Sequence, residues 1–220
     1  MTGRIFTADH HVYDLPPLLS WNVRHTGTVP CDSWSVTAVY QPEMLTVLRM
    51  AAGFAAIENG MTQLRGIVDE YTVELGSRGM TVTLSGRGYA ARLLDNESRP
   101  VTYEQVTLRE LVRCHAEPYG ISCGAAADLR STVPYTAGAG ISQWKVISEF
   151  CRTYGGFLPR FAKTGELLAT PEQDSGKRII LDSGSPVLNC RIREDHYGVL
   201  TEALERLARV VREKEPIVCK

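Results

Sequence analysis

The stretch T-V-T-L-S-G-R-G-Y-A-A-R-L-L-D-N-E, Thr81 to Glu97, sets a G-R-G between an alternating run and a short apolar one. Two readings compete for it. A dinucleotide fingerprint places G-x-G-x-x-G after a parallel strand and before a helix, with the pyrophosphate on the helix N-terminus. Here Ala91 stands at the third glycine position, which that pattern tolerates. The context is wrong, however: no second parallel strand is evident after it, and no G-x-x-x-x-G-K-[ST] occurs anywhere. The other reading makes Gly86 and Gly88 a bend or a close backbone approach where a strand leaves a sheet. Leu93 and Leu94 then seat the crossing chain on a core.

Upstream, the pattern is that of short strands and tight turns. W-S-V-T-A-V-Y from Trp34 alternates, and Q-P-E-M-L-T-V-L-R-M supplies one or two helical turns. Asn59-Gly60 is a two-residue hairpin signal. Glu70 to Leu75 and Met80 to Leu84 alternate on either side of the turn G-S-R-G, Gly76 to Gly79. Residues 34 to 86 therefore predict an antiparallel sheet curled into a barrel or sandwich. Residues 1 to 30 resist reading, and L-P-P-L-L-S-W is taken as extended chain with an edge strand.

Downstream of Pro100 the character changes. T-L-R-E, Thr107 to Glu110, is a capping box, followed by an apolar face of Leu108, Leu111, Val112 and His115. Gly124 to Gly140 reads as a loop. Ser142 caps a second helix with the stripe Val146, Ile147, Phe150, Cys151 and Tyr154, closed by Gly155-Gly156. F-L-P-R-F-A and E-L-L-A-T flank K-T-G as a hairpin. From Arg178 strands return, and 199–215 reads as a helix with i,i+4 pairs Glu202–Arg206 and Glu205–Arg209. The fold class expected is α+β: an antiparallel β-barrel-like domain at 1–99, a small inserted α/β domain at 100–175, and return strands with a C-terminal helix at 176–220.

Composition narrows the function. The 220 residues hold 24 Lys plus Arg against 25 Asp plus Glu, a formal net charge of -1. That supplies no general attraction to nucleic acid or anionic membrane. The first residues show no apolar segment of a secretory signal, and the run Met50 to Ile57 is too short to span a bilayer. Six scattered cysteines read as free thiols of a reducing compartment. Cys114, His115 and Cys123 lack the short paired spacing of a zinc site. His10-His11 with Asp14 reads as terminal surface. Cys151 with His196 can be drawn as a nucleophile and base, but Cys151 lies in an apolar stripe, where a buried thiol is common. Ser142, Ser148 and Ser175 have no evident base partner. Asp69-Glu70 and Glu194-Asp195 are adjacent, so in a strand they point apart. Arg87, Arg92 and Arg99 form a modest basic cluster. No catalytic, cofactor or metal residue is assigned.

S-G-R-G-Y-A-A-R-L-L-D at 85–95 resembles the strand-to-loop passage of the tail baseplate hub proteins of contractile phages. That family takes in the Mu-like hub, the late-control D proteins and the hub-like tail proteins of Gram-positive prophages. The matching residues are Gly86-Arg87, Leu93-Leu94 and Asp95. G-M-T-Q-L-R-G-I-V-D-E-Y-T-V-E-L at 60–75 is similar to the family's hairpin. Trp144, Ile147, Gly155 and Gly165 to Leu167 match its second-domain helix and hairpin. The resemblance implies a non-enzymatic virion component, assembled in the host cytoplasm. It would form a homo-trimeric ring touching the tail tube, the tape-measure end and the spike. It assigns Arg87 no ligand. Many hubs continue into a second barrel, whereas after Arg193 this sequence offers a turn, a helix and a short tail. That leaves open a barrel assembled from discontinuous pieces, a fragment or a shortened variant. Two other classes stay open: an enzyme of the cysteine or nucleotide-binding type, and a cell-wall- or protein-binding tail adaptor.

Overall fold

The computed structural model describes residues 1–27, 30–77, 79–173 and 176. Alternation in the first half becomes strands β1 (Thr2–Thr7), β2 (Val12–Asp14), β3 (Leu18–Arg24) and β4 (Ser33–Val39). Helix α1 (Met44–Arg49) follows, then β5 (Ala51–Glu58), β6 (Met61–Gly76) and β7 (Gly79–Gly88). These seven strands make one sheet in the order β2-β1-β5-β6-β7-β4-β3, antiparallel at every step. Asn59 (φ 52°) and Gly60 (φ 76°) both take left-handed backbone at the β5–β6 turn, as a two-residue hairpin requires. Alternate residues of β4 and β7 are buried. Their inward set, with Ile5, Leu64, and Met44 and Leu48 of α1, forms the first core.

The barrel expected for this part does not form. Among the described residues the sheet is open: β2 and β3 end it, each hydrogen-bonded to a single neighbour. Period-two alternation reports that one face is buried, but not which strands become neighbours. Here the face is filled by large side chains and by α1, so burial is satisfied without the end strands meeting. L-P-P-L-L-S-W does supply an edge strand, β3. The first residues, which defied reading, supply β1, the partner of β5.

The second core is built from α2 (Ala90–Leu94), β8 (Val101–Tyr103), α3 (Leu108–His115), β9 (Cys123–Ala126), β10 (Tyr135–Ala137), α4 (Gln143–Gly155), β11 (Arg160–Phe161) and β12 (Leu167–Ala169). Helix α3 starts where the capping box predicts: Thr107 Oγ1 accepts from Glu110 N at 3.3 Å, and Glu110 Oε2 accepts from Thr107 N at 2.8 Å. Ser142 caps α4, and Gly156 (φ 69°) ends it in a left-handed turn. Leu108, Leu111 and Val112 of α3 meet Val146, Ile147, Phe150 and Cys151 of α4, all at most 1 % exposed. The supposed loop at 124–140 contributes β9, which pairs in parallel with β12, and β10, which pairs with β8. Both cores lie within one compact unit, Met1–Gln173. The strands expected from Arg178, the helix at 199–215 and His196 fall outside the described residues.

The K-T-G hairpin ties the cores together. Gly165 (φ 87°) sits so close to Tyr89 that a Cβ there would come within 2.7 Å of the ring. Lys163 Nζ donates to Gln63 Oε1 of β6 at 2.8 Å.

Candidate assembly surface

The G-R-G stretch resolves into a contact surface for aromatic rings. Gly86 lies between Trp34 of β4 and Val68 of β6, and Gly66 lies between Phe54 of β5 and Gly88 of β7. A Cβ on Gly86 would strike Ile67 O and stand 2.9 Å from Trp34 Cζ2, and one on Gly66 would strike Arg87 O. The Trp34 indole N–H donates to Ile67 O at 3.1 Å, and the ring stacks on Phe54. The glycines therefore permit close approach, as one reading held. They do not release the chain: Gly88 is still paired with Gly66 and its N–H donates to Asp32 O at 2.9 Å. Release comes at Tyr89, where α2 begins. Strand β7 is antiparallel to both neighbours, so the strand arrangement of a dinucleotide site is absent here. Leu93 is fully buried, but in the second core, and Leu94 is half-buried.

Arg87 is consumed internally. Its guanidinium makes two bidentate pairs, Nε and Nη2 to Asp69 at 2.8 and 3.0 Å, and Nη1 and Nη2 to Asp95 at 3.0 and 2.8 Å. Asp69 reaches it because β6 bulges between Val68 and Glu70, which turns an extra residue toward the neighbouring strand. The two carboxylates, Asp69 foremost, hold the Arg87 guanidinium above its ordinary value, and Arg87 holds the Asp95 carboxyl below the usual carboxylate range. Arg92 donates to Tyr119 O at 3.0 Å and lies over the Tyr89 ring.

The other candidates disperse. Cys151 is buried with no exposure, and burial pushes its thiol up to about 12, the reverse of an activated nucleophile. Cys31, Cys114, Cys123 and Cys151 are free thiols. Among the described residues no cluster of three or more His, Cys, Asp or Glu could hold a metal. His115 is a core residue in a closed network. Its Nδ1 meets Gln143 Oε1 at 2.6 Å and its Nε2 meets Tyr103 OH at 3.0 Å. Gln143 Nε2 donates to Glu97 O at 3.0 Å and Tyr119 OH at 2.8 Å. Since the Gln143 oxygen only accepts, Nδ1 carries the proton. Asp14 pairs with Arg4 at 2.6 Å, and His10 occupies a left-handed turn. Ser148 Oγ donates to Lys145 O, and Ser175 lies outside the described residues.

What remains conspicuous is a surface suited to other protein. Among the described residues the two end strands each present an unpaired edge. At the tip of the β6–β7 hairpin, Leu75 and Met80 pair across the strands on the face that carries Val82 and Leu84. They run beyond the cover of the core, with Leu75 80 % exposed. Leu19, Trp21 and Val39 are exposed on the adjoining strands. The sequence signal was present, apolar residues immediately flanking G-S-R-G, but alternation alone does not tell an overhanging stripe from a buried one.

No family model and no curated protein matches the chain. Solved structures do. One is the tail protein from Neisseria meningitidis MC58, at 14% identity and a TM-score of 0.55, over 76% of this chain and 49% of that one. Another is the 43 kDa tail protein of prophage MuSo2 from Shewanella oneidensis, at 15% identity and a TM-score of 0.62, over 82% of this chain and 58% of that one. The chain thus spans between about half and three fifths of the tail proteins it matches. Its open antiparallel sheet with a second mixed core is a fold it shares with these two tail proteins.

Proposed function

We propose that the chain is a structural component of a phage or prophage tail baseplate hub, a virion protein assembled in the host cytoplasm. In this reading it forms a homo-trimeric ring that joins the tail tube and the tape-measure end to the spike, and performs no catalysis. It would do so with a sheet domain at 1–99, an inserted domain at 100–175 and a return segment at 176–220. The observation that carries the reading is the fold shared with two tail proteins, together with two sheet edges that are unpaired among the described residues. A heterologous contact repeated around a closed ring covers such edges without leaving any exposed. The wide cover of the insert core by apolar side chains, with Cys151 sealed inside it, gives the cysteine-enzyme reading no opening.

Quantitative mass spectrometry of purified tail particles tests it. The chain is expected in the baseplate at a trimer's stoichiometry, and cross-links are expected to the tube and spike proteins. Absence from intact tails, or a stoichiometry matching a tube or sheath subunit, overturns it.

A further inference from the structure

A cleft of about 540 Å³ lies between the β3–β4 loop and the exposed side of α4 and β11. Its size is that of a ligand site. Three cations reach it from separate elements: Arg152 of α4, Arg160 of β11 and Lys163 of the hairpin turn. Two acids also line it. Asp32 is already engaged, its oxygens accepting from His25 Nδ1 and Thr26 N at 2.8 and 2.9 Å. Glu172 stands exposed, so the unspent charge of the cleft is positive. Arg160 uses one nitrogen on Thr170 O, and Lys163 one proton on Gln63. Arg152 is exposed, and its guanidinium is unengaged among the described residues. Trp144 and Phe161 meet there with ring centroids 6.0 Å apart, both half-buried.

The backbone decides what kind of anion fits. Among the described residues, strand β11 is an end strand of its three-stranded sheet, β11-β12-β9. Ala162 N donates to Glu166 O at 2.9 Å, which makes 162 and 166 a hydrogen-bonded pair. In an antiparallel ladder such pairs alternate. Arg160 therefore turns its peptide groups toward β12, and Phe161 turns its N–H and C=O outward. An outward peptide group beside cations and an aromatic pair suits an extended chain that alternates carboxylate and apolar side chains. Free phosphate or a simple carboxylate would leave the backbone edge and the rings unused.

We infer that this cleft binds an extended acidic segment of a partner protein, added as a strand to the outer edge of β11. Its carboxylates meet Arg152 and Lys163, and an apolar side chain rests on Trp144 and Phe161. Strand addition gives affinity through the main chain and specificity through alternate side chains.

The probe is a fluorescein-labelled peptide alternating glutamate and leucine, titrated with the full chain and followed by anisotropy. Saturable binding is expected, weaker by about tenfold or more for a lysine–leucine peptide of equal length. The pair Arg152→Glu and Lys163→Glu is expected to lower affinity for the glutamate peptide by a similar factor. Both positions are exposed, and an unchanged thermal melt verifies the fold. N-methylation of alternate peptide nitrogens weakens binding as well, and the Phe161 amide shifts on titration. The inference fails if binding is not saturable, if both peptides bind equally or if the double substitution changes nothing. It also fails if free glutamate competes as well as the peptide, which would make this a small-anion site. None of these outcomes touches the ring, which stoichiometry in the tail decides.

Discussion

Trp34 and Phe54 stack with ring centroids 3.7 Å apart and planes inclined by 12°, although β6 and β7 separate their strands in the sheet. The strands between them carry glycine at 66, opposite Phe54, and at 86, opposite Trp34. Gly86 is the one whose Cβ would meet the Trp34 ring. Replacing it with alanine drives a methyl into Ile67 O and the indole, and overpacking of this kind costs about 1–3 kcal/mol or more. Gly88→Ala meets only Asp32, its nearest atom 3.3 Å away, and is expected to cost less. Urea unfolding of the two variants checks the order; equal midpoints would refute the account of the glycines.

The Arg87 pairs make stability depend on acid. The Asp95 carboxyl is held below its ordinary value by hydrogen bonds from Arg87. Its contribution is therefore fully present above the unfolded carboxylate value of about 3.9 and is lost as pH falls through the lower folded value. Asp95→Asn is expected to melt below the parent at neutral pH and to converge with it in strong acid. A gap that persists unchanged at the lowest pH reached would mean the pair is not its source. Arg87→Lys cannot hold two bidentate pairs and is expected to fall between the parent and Arg87→Ala.

The free thiols should differ sharply in reactivity. Cys151 is sealed in the second core with its thiol pushed up to about 12 by burial, whereas Cys114 is exposed. Alkylation of the native chain at neutral pH, read by peptide mass mapping, is expected to modify Cys114 first and Cys151 only after unfolding. Native labelling of Cys151 at the rate of Cys114 would reopen the nucleophile reading.

The apolar hairpin tip predicts a separation of stability from association. Leu75 is 80 % exposed, so Leu75→Asp removes little buried surface and its effect on melting is expected within about 0.5 kcal/mol. Self-association at high concentration is expected to fall, as measured by sedimentation. A variant that associates as the parent does would show that the tip is not a subunit contact.

How much of this was legible follows the range of each interaction. Thr107 with Glu110, Asn59-Gly60 and Gly156 act within a turn, so their residue types alone placed α3, the β5–β6 hairpin and the end of α4. Strands β1, β8, β9 and β10 were not read. Strands β8, β9 and β10 hold only three or four residues each. Strand β9 is a strand only because β12, some forty residues on, lends it a parallel edge, and β1 is placed by its distant partner β5. The barrel was misread for the same reason: which strand lies beside which is a long-range fact. Arg87 was read only as one of a modest basic cluster with no ligand assigned, and its partners were not found. Asp69 comes within reach only through a bulge, and adjacent carboxylates in a regular strand would have faced apart.

The seat of the K-T-G hairpin on the sheet has a kinetic consequence. Lys163 and Gln63 are a hundred positions apart in the chain, so their contact closes a long loop and is expected to form late. Interactions absent from the folding transition state govern unfolding and leave refolding nearly untouched. Gly165→Ala, strained by its left-handed backbone and crowded by Tyr89, is thus expected to speed unfolding about fivefold for each kcal/mol lost while refolding keeps its pace. The hairpin would then act as the molecule's latch, setting how long the joined cores stay joined.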